Sequence, residues 1–302
     1  AGNEVILKYP DSGLNCITLH REDLARLNEG EFLNDTLIEF YIRWSTNSYS
    51  ADKASDFHIF NTFFYQQLNS VDDVTKKRLT PENAYKRVKT WTKRVNIFEK
   101  RFVVVPINER LHWYLAVIWN PGAYLKKADL AILNIEDDDG DETKECRLFI
   151  FDSLDGKHPA VARVLSSYLR MEAMEKYGKE VADEPAKIVY AKVQSQLNYC
   201  DCGIFLCHYV TLMLRCPDLI SRAILKNMEL TESYFTSCTC IWFIARDSID
   251  ADIHAKKNFG FGKTEFDKIR QTTTTAITTA ATTTITTTTL MHKFSLFKLL
   301  IT

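Results

Sequence analysis

Three apolar runs in the middle of the chain constrain its fold more than any other feature. They read RFVVVPI from residue 101, YLAVIW from 114 and RLFIFD from 147, and KIVYAKV from 187 is a fourth candidate. Continuous runs rich in valine, isoleucine and aromatic residues are typical of strands buried on both faces. Because helical segments lie between them, the sequence predicts a sheet that helices cover on both sides.

One helix is predicted before these strands, in GEFLNDTLIEFYIRWS (residues 30–45). Leu37, Tyr41 and Trp44 fall on one helical face, as expected for a helix packed on a core. Thr36 and Glu39 have the spacing of a capping box, in which each side chain accepts a hydrogen bond from the other residue's backbone. We therefore expect the helix to begin near Thr36.

A second helix is predicted after the strands, in GIFLCHYVTLMLR (residues 203–215). The segment is almost entirely apolar and stops just before Pro217, which predicts a buried helix that begins at or beside Cys202. A third segment, NAYKRVKTWTKRVNIFEK (residues 83–100), predicts a partly exposed basic helix that ends near Lys100, with its charges on a solvated face.

Two segments are expected to lie outside the core. NIEDDDGDETKE (residues 134–145) is acidic and polar and predicts a surface loop. From residue 271 the chain becomes a threonine tract, whose β-branched residues form poor helix and whose low complexity specifies no core. We expect residues 1–270 to form the folded domain and residues 271–302 to be a disordered tail.

Composition limits the possible classes of protein. With 302 residues, 46% of them hydrophobic, the chain can bury a large core, and its formal net charge of -1 gives no reason to expect nucleic acid or an anionic membrane as a partner. No apolar stretch reaches the roughly 20 residues that span a bilayer, and the first residues do not read as a secretory signal. We expect a soluble intracellular protein, and its eight cysteines are too sparse for a disulfide scaffold.

Two motifs that suggest metal or phosphate binding fit poorly. Cys200 and Cys202, with Cys238 and Cys240, would give a four-cysteine zinc site, but structural zinc cysteines usually lie two to four residues apart rather than one. The segment GFGKT (residues 260–264) ends like a phosphate-binding loop, but it lacks the first glycine and no apolar strand leads into it. Neither motif predicts a cofactor.

A nucleophilic thiol is the better interpretation of the cysteine-rich segment QSQLNYCDCGIFLCHYV (residues 194–210). The N-terminus of a helix lowers the pKa of a thiol because unpaired backbone N–H groups favour negative charge there, and Cys202 has that position. We expect Gly203 to let a substrate backbone come close. Cys207, in the middle of the apolar helix, is predicted to be a core residue.

Such a thiol needs a histidine base and a third group that orients it. His112 is the best candidate of seven histidines, because it stands where a polar stretch enters a strand. Asp152 ends the strand RLFIFD, and a carboxylate there needs a partner, which a histidine on a neighbouring strand would supply. Asp152 could instead only cap the segment that follows it.

A side-chain amide near the thiol would complete the machinery for acyl transfer, because an oxyanion develops on the carbonyl that the thiol attacks. Gln196 lies six residues before Cys202 and could fold back over it. Gln194 and Asn198 are alternatives, and spacing alone does not decide between them.

Together these residues resemble the Ulp/sentrin-specific cysteine proteases, which remove SUMO from proteins. The similarity rests on HW leading a strand, FDSL ending another, glutamine six residues before a Cys-Gly pair, and the chain order His, Asp, Gln, Cys. The segments FLNDTLIEFYIRW and RVKTWTKRVNIFEKRFVVVPINERLHWYLAVI extend it, so that it runs from about Leu14 to Arg215.

The resemblance implies an α+β, papain-like cysteine protease fold with a central mixed β-sheet flanked by helices. It implies Cys202 as nucleophile, His112 as general base and acid, Asp152 as its orienter, and Gln196 as oxyanion donor with the backbone N–H of Cys202. Trp113 would roof a narrow channel for the Gly-Gly end of the modifier.

Substrate contacts are also implied at the helix that begins near Thr36. Asp35 matches the family's substrate-contacting aspartate, and Phe32 stands where many members have tryptophan. Phe32, the RVKTWT segment and the acidic insertion look most like the branch that trims poly-SUMO chains. Cys200 departs from the family's usual residue before Asp201 and Cys202.

The function expected from this resemblance is cleavage after the C-terminal Gly-Gly of SUMO, to deconjugate proteins or trim chains. Expected partners are SUMO, SUMO-conjugated proteins and poly-SUMO chains. We expect a nuclear monomer that needs no cofactor or metal and binds neither nucleic acid nor membrane. The alternatives are a thiol protease or acyltransferase for another ubiquitin-like modifier, and a non-catalytic SUMO-binding module.

Overall fold

The structure is a computed structural model that describes residues 4–10, 13, 15–48, 55–72, 75–125, 145–179, 181 and 185–230. Cys238, Cys240, the GFGKT segment, residues 271–302 and all but the last residue of the acidic segment 134–145 lie outside the described residues. Contacts divide the chain into two compact units. Unit 1 is drawn from Ala1–Tyr49, Val193–Ala223 and Glu229–Thr302, and unit 2 from Ser50–Lys192 and Ile224–Met228.

Unit 2 is built on a five-stranded sheet. Its strands are β3 (Phe57–Ile59), β4 (Phe102–Glu109), β5 (His112–Trp119), β6 (Arg147–Phe151) and β7 (Lys187–Tyr190), and they lie side by side in that order. The outer pairs, β3 with β4 and β6 with β7, are parallel, and the two inner pairs are antiparallel. The predicted α+β class with a central mixed sheet is confirmed, as are the four strands predicted from apolar runs.

The described helices of unit 2 include α3 (Phe63–Leu68), α4 (Pro81–Val88), a 3-10 turn at Ile97–Glu99 and α5 (Pro159–Tyr177). They share one hydrophobic core with alternate residues of the sheet, such as Val103, Val105 and Ile107 of β4. The ring of Tyr168 from α5 meets the ring of Phe64 from α3 edge-on, with centroids 5.0 Å apart. Burial of these aromatic and aliphatic side chains is the main stabilising term for the sheet.

The predicted basic helix over residues 83–100 is wrong in extent, because α4 ends at Val88. The Nζ of Lys176 donates hydrogen bonds to the backbone carbonyls of Thr92 and Val95. The Thr92 hydroxyl donates to the buried carboxylate of Glu172 at 2.7 Å. These contacts with α5 hold the chain in turns after Val88, since carbonyls in a continued helix would accept from N–H groups four residues later.

Unit 1 contains an antiparallel hairpin of β1 (Val5–Tyr9) and β2 (Ile17–His20), followed by α1 (Arg21–Ala25) and α2 (Asp35–Ser48). Among the described residues, this unit also contains α6 (Cys202–Arg215) and most of α7 (Pro217–Leu225), whose last residues are assigned to unit 2. Helix α2 packs against α6, and the hydroxyls of Tyr41 and Thr211 are hydrogen-bonded across this contact at 2.9 Å.

The helix predicted at residues 30–45 is present, but the predicted capping box of Thr36 and Glu39 is wrong. Helix α2 begins at Asp35, and the side chain of Asn34 accepts a hydrogen bond from the backbone N–H of Leu37 at 3.1 Å. The Asn34 amide in turn donates to Asp23 at 2.6 Å. Asn34 therefore occupies the capping position, and Thr36 lies inside the first turn.

The predicted buried helix at residues 203–215 is confirmed as α6, which begins at Cys202. In the part of the chain that the structure describes, no single helix has the length and apolar content to cross a bilayer. Helices α6 and α7 meet those criteria only together, and they are bent by 108° at the break between them.

Candidate active site

The first part of the candidate site lies in unit 2, where β5 begins and β6 ends. His112 is the first residue of β5 and Asp152 directly follows β6. The antiparallel register pairs Leu115 with Phe151, so the start of β5 and the end of β6, and with them His112 and Asp152, fall at the same end of the sheet. The Nε2 atom of His112 lies 2.8 Å from Oδ1 of Asp152, and the structure thus brings together the two residues that the sequence paired.

A second histidine, His158, contacts the same carboxylate. Its Nε2 atom lies 2.6 Å from Oδ2 of Asp152, while the backbone N–H of Leu154 donates to Oδ1 at 2.7 Å. Sequence reasoning missed His158, because it has no strand-end position. The signal that could have found it is the loop composition, in which Gly156 permits a close return of the chain and Pro159 starts a helix directly after the histidine.

The environment of Asp152 keeps it ionised. Burial alone would raise the pKa of this carboxyl, but hydrogen bonds from His112, His158 and the backbone N–H of Leu154 outweigh it and hold the pKa well below its usual range. Asp152 is therefore a fixed negative charge between the two histidine rings.

Tyr114 lies behind the histidines. Burial and a hydrogen bond to Glu109 raise the pKa of Tyr114 far above its usual value, so its hydroxyl remains a donor.

The second part of the candidate site lies in unit 1, at the start of α6. Cys202 is the first residue of this helix and is fully buried. Cys207, one turn further along, is also buried, and burial raises the pKa of its thiol well above the usual value. Cys207 is thus an inert core residue, as predicted.

Cys200 lies before the helix, next to the carboxylate of Asp201. Its Sγ atom lies 3.8 Å from Oδ1 of Asp201. Burial raises the pKa of the Cys200 thiol, and the negative charge of Asp201 and the hydrogen bond to it raise the pKa further. A thiol that resists ionisation is a weak nucleophile, so neither Cys200 nor Cys207 has the character of a reactive thiol.

The loop before α6 is held by Asn198. The Asn198 side-chain oxygen accepts hydrogen bonds from the backbone N–H groups of Cys200 at 3.1 Å and Asp201 at 3.0 Å. Its amide nitrogen donates to the Asp201 carboxylate at 2.8 Å. Gln196 is buried, and its amide nitrogen donates to the backbone carbonyl of Asn198 at 2.6 Å, whereas Gln194 and Asn198 are exposed.

The predicted role of Gly203 is wrong. A Cβ atom on Gly203 would lie 2.9 Å from Cβ of Leu33, closer than side-chain atoms tolerate. The space beside this glycine is therefore filled by Leu33, in the segment that leads into α2, and not left for a substrate backbone. Glycine is required here for close packing within unit 1.

The residues predicted to contact substrate lie in both units. In unit 1, Phe32 precedes α2 with 36% of its surface exposed, and Asp35 is the first residue of that helix. In unit 2, Trp113 follows His112 on β5 and is 2% exposed. Within the described ranges, no group of three or more histidine, cysteine, aspartate or glutamate side chains could hold a metal ion.

The sequence of the chain matches known proteases over most of this fold. Residues 31–234 match the C-terminal catalytic domain of the Ulp1 protease family. The chain belongs to the Ulp1 protease family. The family predicted from the sequence is confirmed, and the described strands β3 to β7 and helices α2 to α6 all lie within the matched range.

Two relatives and one solved structure illustrate the range of similarity. Ubiquitin-like-specific protease 2 of Schizosaccharomyces pombe is 37% identical over 246 residues, which cover 76% of this chain and 38% of that protein. Human sentrin-specific protease 7 is 30% identical over 263 residues, covering 71% and 25%. A crystal structure of a de-sumoylating protease shares the fold of this Ulp1-family chain, with a TM-score of 0.55, 20% identity, and coverage of 97% of this chain and 90% of that one.

The curated relatives are much longer than the region that they share with this chain. The chain spans 38% of the fission yeast relative and 25% of the human one. The similarity therefore concerns the catalytic domain of the Ulp1 family and not the remainder of those proteins.

Proposed function

We propose that this chain is the catalytic part of a SUMO-specific cysteine isopeptidase. The observation that carries the proposal is the hydrogen-bonded pair of His112 and Asp152 in a chain that also places Cys202 at the N-terminus of a buried helix. Both features lie in the range that matches the Ulp1 catalytic domain. The names of the relatives, ubiquitin-like-specific and sentrin-specific proteases, support the choice of SUMO as the modifier.

In the proposed reaction, the Cys202 thiolate attacks the carbonyl carbon of the last glycine of SUMO. Because Nε2 of His112 is bonded to Asp152, Nδ1 is the nitrogen that takes the thiol proton and then gives it to the leaving lysine amine. The carbon–nitrogen isopeptide bond breaks and a thioester to Cys202 forms. Water, deprotonated by His112, then attacks the thioester and releases the glycine carboxylate and the free thiol.

The developing oxyanion would be stabilised by the Gln196 amide and the backbone N–H of Cys202. An amide nitrogen carries two hydrogens, and the contact from Gln196 to the Asn198 carbonyl at 2.6 Å uses one of them. That contact fixes the amide before substrate arrives, and a donor that needs no reorganisation is the effective kind.

Substrate recognition is proposed to use Trp113, Phe32 and Asp35. An aromatic channel admits the extended Gly-Gly end of SUMO and rejects residues with side chains, so steric exclusion provides part of the specificity. Trimming of poly-SUMO chains is the finer activity we propose, supported by the likeness to sentrin-specific protease 7 over 263 residues. Residues 1–270 would form the catalytic domain of a nuclear, monomeric enzyme without a cofactor, and residues 271–302 would lie outside it.

Replacement of the nucleophile tests this function. Cys202→Ser should reduce cleavage of a SUMO-conjugated protein by more than about 1,000-fold, because a serine hydroxyl is a far weaker nucleophile than a cysteine thiolate. Binding of SUMO should persist, as measured by calorimetry. Cys207→Ser is the matched control, and it should lower the thermal midpoint while turnover of the folded fraction remains.

A panel of C-terminal activity probes tests the modifier. Probes built on SUMO, ubiquitin and other ubiquitin-like proteins would each be offered to the wild-type chain, and labelling of Cys202 would be located by mass spectrometry. We expect labelling by the SUMO probe. Labelling only by a different modifier would contradict SUMO specificity, and SUMO binding without any labelling would contradict catalysis.

A further inference from the structure

We infer that His158 is a positioning residue for the proposed catalytic pair, acting through Asp152 on His112. The effect on turnover rests on the proposed function, while the contact itself rests on geometry alone. His158 takes no direct part in the proposed proton transfer. Its task is to hold the carboxylate that holds the base.

Each oxygen of the Asp152 carboxylate faces a different imidazole ring. Oδ1 faces Nε2 of His112 at 2.8 Å, and Oδ2 faces Nε2 of His158 at 2.6 Å. The backbone N–H of Leu154 also donates to Oδ1. Rotation of the carboxylate about its Cβ–Cγ bond would break all of these contacts at once, so the direction in which Oδ1 presents its lone pairs to His112 is set.

His158 is itself held by three elements of unit 2. Its ring lies on the ring of Tyr114 from β5, with centroids 3.8 Å apart and planes 13° from parallel. Its backbone N–H donates to the hydroxyl of Tyr190 in β7 at 3.0 Å, and Pro159 begins α5 directly after it. A side chain fixed from several directions can fix another, whereas a mobile one cannot.

Gly156 gives independent evidence that this contact is built into the loop. A Cβ atom at residue 156 would lie 2.5 Å from Oδ2 of Asp152 and 3.0 Å from Nε2 of His158. The main chain therefore passes against the hydrogen bond so closely that only glycine fits. The loop composition accommodates the second histidine as well as the aspartate.

The chemical consequence concerns the protonated state of His112. During transfer from thiol to leaving amine this ring is an imidazolium, which an oriented, ionised aspartate stabilises. A donor on Oδ2 favours the ionised carboxylate and keeps Oδ1 in line with Nε2 of His112. If His158 were replaced by a residue that cannot donate, Oδ2 would lose this hydrogen bond and the carboxylate could rotate.

Two substitutions with opposite chemistry separate positioning from simple packing. His158→Gln keeps an amide donor near the position of Nε2 but loses the aromatic ring. His158→Phe keeps a ring stacked on Tyr114 but loses the donor. Both should be compared with the wild type by kcat and KM for a SUMO-conjugated substrate, and by thermal midpoint.

We expect His158→Phe to lower kcat by about 10- to 100-fold. A loss of this size is typical when the hydrogen-bond partner of a metal-binding histidine is removed. KM should stay within about threefold, and His158→Gln should recover kcat to within about threefold of the wild type, by the same scale. Wild-type turnover in folded His158→Phe would overturn the inference. So would a Gln variant that is no better than the Phe variant while its thermal midpoint is unchanged.

A measurement on the wild-type chain keeps the test independent of both folding of the variants and activity. Nitrogen-15 NMR of the imidazole rings should show a proton on Nε2 of both His112 and His158, each slow to exchange with water. A His158 ring protonated only on Nδ1 would overturn the inference, even if the chain cleaved SUMO. If no modifier is cleaved but both Nε2 protons are seen, the proposed function fails and the contact through Asp152 stands.

Discussion

At the scale of single residues, Asn198 organises the segment between Gln196, the proposed oxyanion donor, and Cys202, the proposed nucleophile. Its side chain accepts from two consecutive backbone N–H groups and donates to the Asp201 carboxylate. Its own carbonyl receives the Gln196 amide. One exposed residue thus connects Gln196 to the first turn of α6, so a substitution of Asn198 should lower the rate of catalysis.

Asn198→Ala would leave the N–H groups of Cys200 and Asp201 without their side-chain acceptor. We expect kcat to fall by about tenfold and the free energy of unfolding to fall by about 1 to 3 kcal/mol, the usual range for lost hydrogen bonds of this kind. Turnover kinetics and denaturant unfolding measure the two effects. Tyr199→Ala is the matched control, because its side chain is 87% exposed, and a larger loss of kcat in that variant would refute the assignment.

The sequence predicted individual residues where their position within a strand determined their surroundings. His112 and Asp152 could be paired because both stand at strand ends, which adjacent strands bring together. His158 could not, since its contact depends on the path of a loop that no periodicity describes. For the same reason, spacing in the sequence did not decide between Gln196, Gln194 and Asn198 as the amide near the thiol. In the structure Gln196 is buried, whereas Gln194 and Asn198 are exposed.

At the scale of elements, the strands predicted best were those with strong burial. Strands β4, β5 and β6 are buried along most of their length, and their apolar runs indicate this directly. Strand β3 has only three residues, and β1 has a half-exposed pattern, so neither produces a clear signal. The end of α4 was mispredicted because it depends on Lys176 and Glu172, which are distant in sequence.

Strand β3 also carries a half-buried histidine, His58, which should make the stability of the fold depend on pH. Burial, aided by the charges of Lys100 and Lys176, lowers the pKa of His58 from 6.5 to about 4. His58 therefore stays neutral in the folded chain and gains a proton on unfolding below about pH 6.5. The unfolded state then binds more protons, so stability falls as the pH drops from 6.5 towards 4.

His58→Phe should remove this dependence, because phenylalanine does not titrate. The difference in unfolding free energy between variant and wild type should shift in favour of the variant by up to about 3 kcal/mol between pH 7 and pH 4. Urea unfolding at a series of pH values measures it, and comparison with the wild type cancels the other titrating groups. A difference that stays constant with pH would show that His58 is not held neutral.

At the scale of the whole molecule, the order of elements along the chain differs from their grouping in space. The Ulp1 catalytic domain match runs through both units. Unit 2 is drawn almost entirely from one uninterrupted stretch, Ser50–Lys192, whereas unit 1 combines segments from before and after it. Composition and motifs revealed the family of the chain but not this division, because they do not record which distant segments meet.

Because of this division, the two parts of the proposed machinery are synthesised at different times. His112, Asp152 and His158 lie in a stretch that is translated before Cys202, and chains fold progressively as they emerge from the ribosome. Pulse-labelled hydrogen exchange on the refolding full chain should show amides of β4, β5 and β6 protected before those of α6, and the reverse order would contradict this. A nascent chain would therefore contain its proposed proton-transfer pair before it contains the proposed nucleophile.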